Sequence, residues 1–133
     1  MDDLLAQWLA RVEARALTWP HTRQLWVDYT RMGDGVAQYR LRITLLDDSL
    51  LQCVERVSAL PGRRLRIDKY SFHWQHPDGA LLRRWDNAPH HPEISSFPHH
   101  LHNGTEDNVL PHEAIDFFGV LGALEKVLAE QAA

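Results

Sequence analysis

Cysteine is almost missing from this chain: Cys53 is the only one in 133 residues. That excludes an internal disulfide and any zinc site built from several thiolates. Cys53 lies in the apolar stretch Leu50-Leu51-Gln52-Cys53-Val54, where a buried structural thiol is expected rather than a nucleophile. Long hydrophobic runs are missing too. The longest uncharged one, Phe117 to Leu124, is interrupted by glycines and closed by Glu125, far short of the roughly 20 residues of a membrane span. Met1-Asp2-Asp3 is acidic and has neither the basic region nor the apolar core of a signal peptide. A cytoplasmic protein without membrane contact is therefore expected. Positive charge is scarce at one end. Of 14 Lys and Arg residues only Lys126 lies beyond Trp85, while Asp86, Glu93, Glu106, Asp107, Glu113, Asp116, Glu125 and Glu130 crowd that end. The basic middle, with Arg63, Arg64, Arg66, Lys69, Arg83 and Arg84, is suited to phosphates; the acidic end is not.

What is present describes a folded domain. A chain of 133 residues, 44% hydrophobic and 24% charged, is one domain's worth and buries a real core. A single domain over residues 1–133 is expected. Leu5, Trp8, Leu9, Val12 and Ala16 recur at helical spacing and predict a helix that ends before Pro20. A strand is predicted about Gln24 to Thr30, with a turn at Met32-Gly33-Asp34-Gly35. Tyr39, Leu41, Ile43 and Leu45 then alternate with polar neighbours, the two-residue period of a half-buried strand. Further strands are predicted about Leu50 to Val57, Leu65 to Gln75 and Ala80 to Asp86, the last two joined by His76-Pro77-Asp78-Gly79, a type I turn. Residues 87–98, broken by Pro89, Pro92 and Pro98, read as loop; Glu113 to about Glu130 reads as a helix with Pro111 near its start. The fold class is α+β: an antiparallel meander of about five to six strands, with the N- and C-terminal helices packed on one face.

Nine histidines is a high count, and seven of them, His73, His76, His90, His91, His99, His100 and His102, share one stretch with Arg83, Arg84, Asp86, Asn87 and Glu93. Histidine moves protons near neutral pH and binds metals; one on a surface means little, but three groups among prolines are not needed to fold a polar loop. With Tyr70, Phe72 and Trp74 inward, His73 faces the other side. On the returning strand Leu81 and Trp85 would join the core, and Arg84 and Asp86 would join His73. A bulge at Gly79 would instead pair His76 with Ala80 and set Arg84 beside Phe72; the apolar pattern favours the first register. His100 and His102 project to one side if that piece is extended.

The runs Tyr70-Ser71-Phe72-His73-Trp74-Gln75, then Arg84-Trp85-Asp86-Asn87-Ala88-Pro89-His90-His91, then Phe97-Pro98-His99-His100-Leu101-His102 resemble the TumE family of bacterial toxin–antitoxin proteins. The layout fits throughout, but the specific motifs are confined to residues 70–102. The resemblance implies a growth-inhibiting toxin with a cognate antitoxin partner, typically a helix-turn-helix DNA-binding protein. It carries no catalytic assignment. It leads us to expect a basic residue between the last two histidines, where Leu101 stands.

For a toxin with this stretch, a metal-independent ribonuclease with no cofactor is the first expectation. RNA supplies its own nucleophile, the 2′-hydroxyl, so the protein needs a base, an acid and a cation for the crowded phosphorane. His73 and His100 are candidates for base and acid, Arg84 for the phosphate clamp and Asp86 for orienting an imidazole, with His102 alongside. Arg66, Lys69, Arg83, Asn87, His90 and His91 are the candidate RNA-binding residues. An ordinary structural Arg84–Asp86 pair bracing the loop is an equally good reading. A metal-dependent phosphodiesterase is the alternative, with His100, His102, one of His90 or His91, and Asp86 or Glu93 as zinc or manganese ligands; no established ligand motif supports it. A third reading is a non-enzymatic module whose histidine segment or sheet edge captures a protein. A homodimer is open to any of these.

Overall fold

A computed structural model describes residues 3–132. Helix α1 (Leu4–Thr18) is capped by Asp3, whose carboxylate accepts from the N–H groups of Leu5 and Ala6 at 3.0 and 3.3 Å, donors that the first helical turn cannot satisfy itself. Its buried stripe is Leu5, Val12 and Ala16. Seven strands follow as β1 (Thr22–Arg31), β2 (Val36–Leu45), β3 (Leu50–Leu60), β4 (Arg64–Gln75), β5 (Leu81–Asp86), β6 (His100–Asn103) and β7 (Val109–Pro111), before helix α2 (Phe117–Ala132). They form a single antiparallel sheet in chain order. The expected meander with terminal helices is correct, with more strands than anticipated: β6 and β7 emerge from a stretch too short and too polar to show a two-residue period.

The two periods of the sequence become two faces. One row of partners, Leu41, Cys53, Phe72, Trp85 and Leu101, crosses β2 to β6 and lies wholly in the core. Both helices close over this face, adding Val12, Ala16, Phe117, Val120, Leu121 and Leu124 to a continuous cluster. Trp8 and Phe118 meet edge-on between the helices, and Trp19 donates its indole N–H to Glu125 at 2.7 Å. Cys53 is buried here, and burial, then the charge of Glu55, pushes its thiol well above the usual range. That suits the structural role expected of it.

Leu101 explains itself in this arrangement. It sits opposite Trp85 on the covered face while His100 and His102 point the other way, so an apolar residue is what the core asks for where the family resemblance suggested a basic one.

The β4–β5 hairpin contains both registers weighed from sequence. His76 N–H donates to the Ala80 carbonyl at 2.8 Å, so the bulged turn forms, with Gly79 at φ 94°, a backbone region that glycine enters freely. Gln75 then pairs with Leu81 while Trp74 pairs with Arg83. A second bulge, at Leu82, restores the favoured pairing of His73 with Arg84 and Phe72 with Trp85. Consequently Leu82, not Leu81, packs against the core. Helix α2 also begins later than anticipated. Asp116 is its effective cap, accepting from Gly119 N–H at 2.9 Å, and Pro111 closes β7 instead.

Candidate functional site

On the uncovered face, β4, β5 and β6 lay the histidine segment out as a grid. His73 pairs with Arg84 and Arg84 with His102; Ser71 pairs with Asp86 and Asp86 with His100. Alternation puts all six side chains on the same side. The loop between β5 and β6 folds back over them and brings His90 and His91 to a cavity of about 340 Å³, lined also by Lys69, Ser71, Arg84, Asp86, His100 and His102.

Asp86 is the hub. One carboxylate oxygen accepts from Ala88 N–H at 3.0 Å and lies 3.0 Å from His100 Nε2; the other accepts from Arg84 Nε at 3.1 Å and lies 3.7 Å from His102 Nε2. Asp86, His100 and His102 are 8%, 2% and 4% exposed, and buried polar groups of this kind persist only when partnered. Both rings are held from behind by main chain. His100 Nδ1 lies 2.9 Å from the Pro98 carbonyl, and His102 Nδ1 lies 2.9 Å from the Glu106 carbonyl. A carbonyl only accepts, so each Nδ1 carries a proton and each Nε2 is turned into the site. His102 Nε2 accepts from Arg84 Nη2 at 3.2 Å. His100 Nε2 faces a carboxylate oxygen, a contact that is attractive only when a proton or a cation lies between them.

His91 completes the cluster. Its ring centroid lies 4.9 Å from that of His100 and 5.8 Å from that of His102. One nitrogen from each of His91, His100 and His102 falls within 4.8 Å of the others, the sole such grouping of His, Cys, Asp or Glu among the described residues. His73, on the same strand as Lys69 and Ser71 but outside the cavity lining, lies beside Arg84; burial first, then the Arg84 charge, lowers its pKa.

The remaining candidates divide. Lys69 and His90 line the cavity. Asn87 is a brace: its side chain accepts from Tyr70 N–H at 3.0 Å and donates to the Asp68 carbonyl at 3.1 Å, extending the β4–β5 pairing past its end. Arg66 is exposed and paired with Asp68 at 2.5 Å. Arg83 points through to the helix side, into a larger groove of about 820 Å³ shared with His99, His112 and α2. Glu93 reaches His91 Nδ1 at 3.4 Å without entering the cavity.

Glu106 is the participant that the sequence did not announce. It grips Arg84 with two bonds of 2.7 and 2.6 Å, the bidentate geometry of a strong guanidinium–carboxylate pair. The signal was its position four residues after His102, in the Asn103-Gly104-Thr105 turn, but only the β6–β7 hairpin brings it under Arg84.

An antiparallel meander covered by helices on one side, with a histidine–carboxylate pocket on the other, defines a small α+β protein. A family model described as Toxin TumE matches residues 18–133, and the chain belongs to that family. No curated protein and no solved structure matches it. It is accordingly a toxin component, and an antitoxin partner is implied. Among the described residues no helix is long and apolar enough to cross a membrane.

Proposed function

We propose that this toxin cleaves RNA, with the Asp86–His100–His102 pocket as the reacting centre. The observation that carries this reading is the combination in one cavity of buried, carboxylate-braced imidazoles with Lys69 at its rim. Buried histidines held in a fixed tautomer are what proton transfer or metal ligation at a phosphodiester demands. Beyond the rim, the same sheet face carries exposed Arg40 and Arg42, the latter 4.4 Å over the ring of Trp26. Cation and aromatic side by side on an open sheet suit a single-stranded backbone and its bases.

In this reading the 2′-hydroxyl gives its proton to a base and attacks the adjacent phosphorus, while the 5′-oxygen leaves and takes a proton from water, giving a 2′,3′-cyclic phosphate and a 5′-hydroxyl. His73 is the proposed base. Its lowered pKa leaves the ring neutral near pH 7, with a lone pair for the proton. Arg84 is a poorer phosphate clamp than its position suggested, because Asp86 and Glu106 already hold its guanidinium. The burial of His100 and His102 argues against either ring reaching the substrate directly. Both facts favour the metal-assisted chemistry over the metal-independent one.

The test is incubation of the purified chain with single-stranded RNA and with DNA of the same sequence. RNA fragments ending in cyclic phosphate, intact DNA, and a loss of about 10²–10⁴-fold in rate for His73→Ala are expected, the range for one acid–base group. Intact RNA under every condition of pH and divalent ion would remove this reading and leave the protein-capturing one.

A further inference from the structure

We infer that His91, His100 and His102 bind a zinc-class divalent transition metal ion, with a carboxylate oxygen of Asp86 as the fourth, anionic donor. The inference deepens the reading above by naming what the pocket holds, but it stands on geometry alone and survives if RNA is not the substrate.

Four observations converge on it. The three ligand nitrogens already lie within 4.8 Å of one another. Donors on one tetrahedral ion sit about 3.4 Å apart, given bonds of about 2.0–2.1 Å, so the shell closes by little more than 1 Å. The residue free to make that movement is His91, the partly exposed member carried on the β5–β6 loop. Next, His100 and His102 each present Nε2 to the site because Nδ1 is fixed on a main-chain carbonyl at 2.9 Å, and the ion would displace Arg84 Nη2, which lies 3.2 Å from His102 Nε2. A ligating histidine characteristically donates its other ring N–H in this way, which fixes the tautomer and aims the lone pair.

The third observation concerns His100 Nε2 and the Asp86 oxygen, 3.0 Å apart. That close approach of two acceptor atoms suits a shared proton or a bound cation, and a divalent cation between them would bond to both. Finally, the pairing of Arg84 with Glu106 matters for charge. A guanidinium beside three imidazoles opposes a second cation; the bidentate carboxylate offsets it, and Asp86 leaves the cluster an anion of its own.

Imidazole and carboxylate donors without thiolate select zinc, cobalt, nickel or copper over calcium and magnesium. Three histidines and one carboxylate fill a tetrahedral shell, so a ligand from solvent or substrate would enter as a fifth donor or in place of the carboxylate. There the ion would act as a Lewis acid on a phosphoryl oxygen, the charge that Arg84, already committed, supplies poorly.

The experiment uses the full chain without a purification tag, stripped by chelator and dialysed, then titrated with Co²⁺ under visible absorption and with Zn²⁺ by calorimetry. Expected are a single equivalent bound and the strong ligand-field bands of Co²⁺ in a four- or five-coordinate nitrogen–oxygen site. His91→Ala, which removes a partly exposed loop side chain and spares the core, should weaken binding at least about tenfold, as should His102→Gln. His21→Ala and His112→Ala should stay within about twofold. Folding of each variant is checked by circular dichroism. Wild-type protein that binds neither ion, or His91→Ala binding as tightly as wild type, overturns the proposal. Metal bound without RNA cleavage leaves the site standing and removes the ribonuclease reading; RNA cleavage by protein that binds no metal does the reverse.

Discussion

Asp86 shows how far single residues could be read. Its pairing with Arg84 two residues earlier and its place beside His73 follow from alternation in a strand, and both are present. Its 3.0 Å contact with His100 was legible only as chemistry, because nothing local says that residues 14 positions apart will pair across adjacent strands. Arg84 was read as available for phosphate, and Glu106 is the reason that it is largely occupied. The same guanidinium acts on His73. Burial is the larger cause of that ring's lowered pKa and the neighbouring positive charge the next. Arg84→Gln should therefore raise the His73 pKa part of the way toward its ordinary value. With His73 as base, the acidic limb of the pH–rate profile moves to higher pH with it. Proton NMR of the histidine ring against pH gives the first quantity directly. An unmoved His73 titration would mean that the Arg84 charge is cancelled by Glu106 at that distance.

Elements with a strong period were legible; elements made by context were not. Strands β2 to β4 and helix α1 carry long alternating or helical patterns and fall where those patterns put them, whereas β5 is short and slips by one residue at Leu82. Strands β6 and β7 span only His100–Asn103 and Val109–Pro111, and their pairing depends on partners rather than on propensity. The start of α2 depends on a contact equally hidden in sequence. Glu55 on β3 is fully buried, accepts from the Tyr39 hydroxyl at 2.5 Å, and meets Phe117 N–H at 3.4 Å. It thereby ties the sheet to the first turn of the helix. Burial, the dominant cause, raises its pKa from 4.5 to about 7. Between those values the folded chain holds a proton that the unfolded chain has released. Stability therefore falls as pH rises from about 4.5 to about 7, and levels above. Glu55→Gln keeps the shape without the charge and should flatten this slope, gaining on wild type at pH 8 by up to about 3 kcal/mol, the worth of a shift of that size. Urea unfolding at pH 5 and pH 8 checks it; equal slopes for the two proteins would show that Glu55 titrates normally.

At the scale of the whole molecule, the sheet separates two tasks. Its helix-covered face contains the aromatic core, including Trp74 and Trp85, and its open face carries the pocket. The motif runs between residues 70 and 102 contribute to both faces, which is why they looked dense in sequence. Along the strands, core residues Phe72, Trp85 and Leu101 alternate with His73, Arg84, Asp86, His100 and His102 on the open face. The fold class was accessible because helix, meander and helix occur in that order along the chain; the identity of the pocket needed the β5–β6 loop to bring His91 back over the grid. Toxicity is expected to pass through that pocket and not through the larger groove on the helix face. Growth after induction measures this most directly, with soluble protein quantified for each strain. Wild-type chain should arrest growth, and co-expression of the cognate antitoxin should restore it. Asp86→Asn and His102→Gln should grow normally at equal soluble level. Arg83→Ala, in the opposite groove, should remain toxic. Arrest by the pocket variants as complete as that by wild type, or loss of toxicity on changing Arg83 alone, would contradict it.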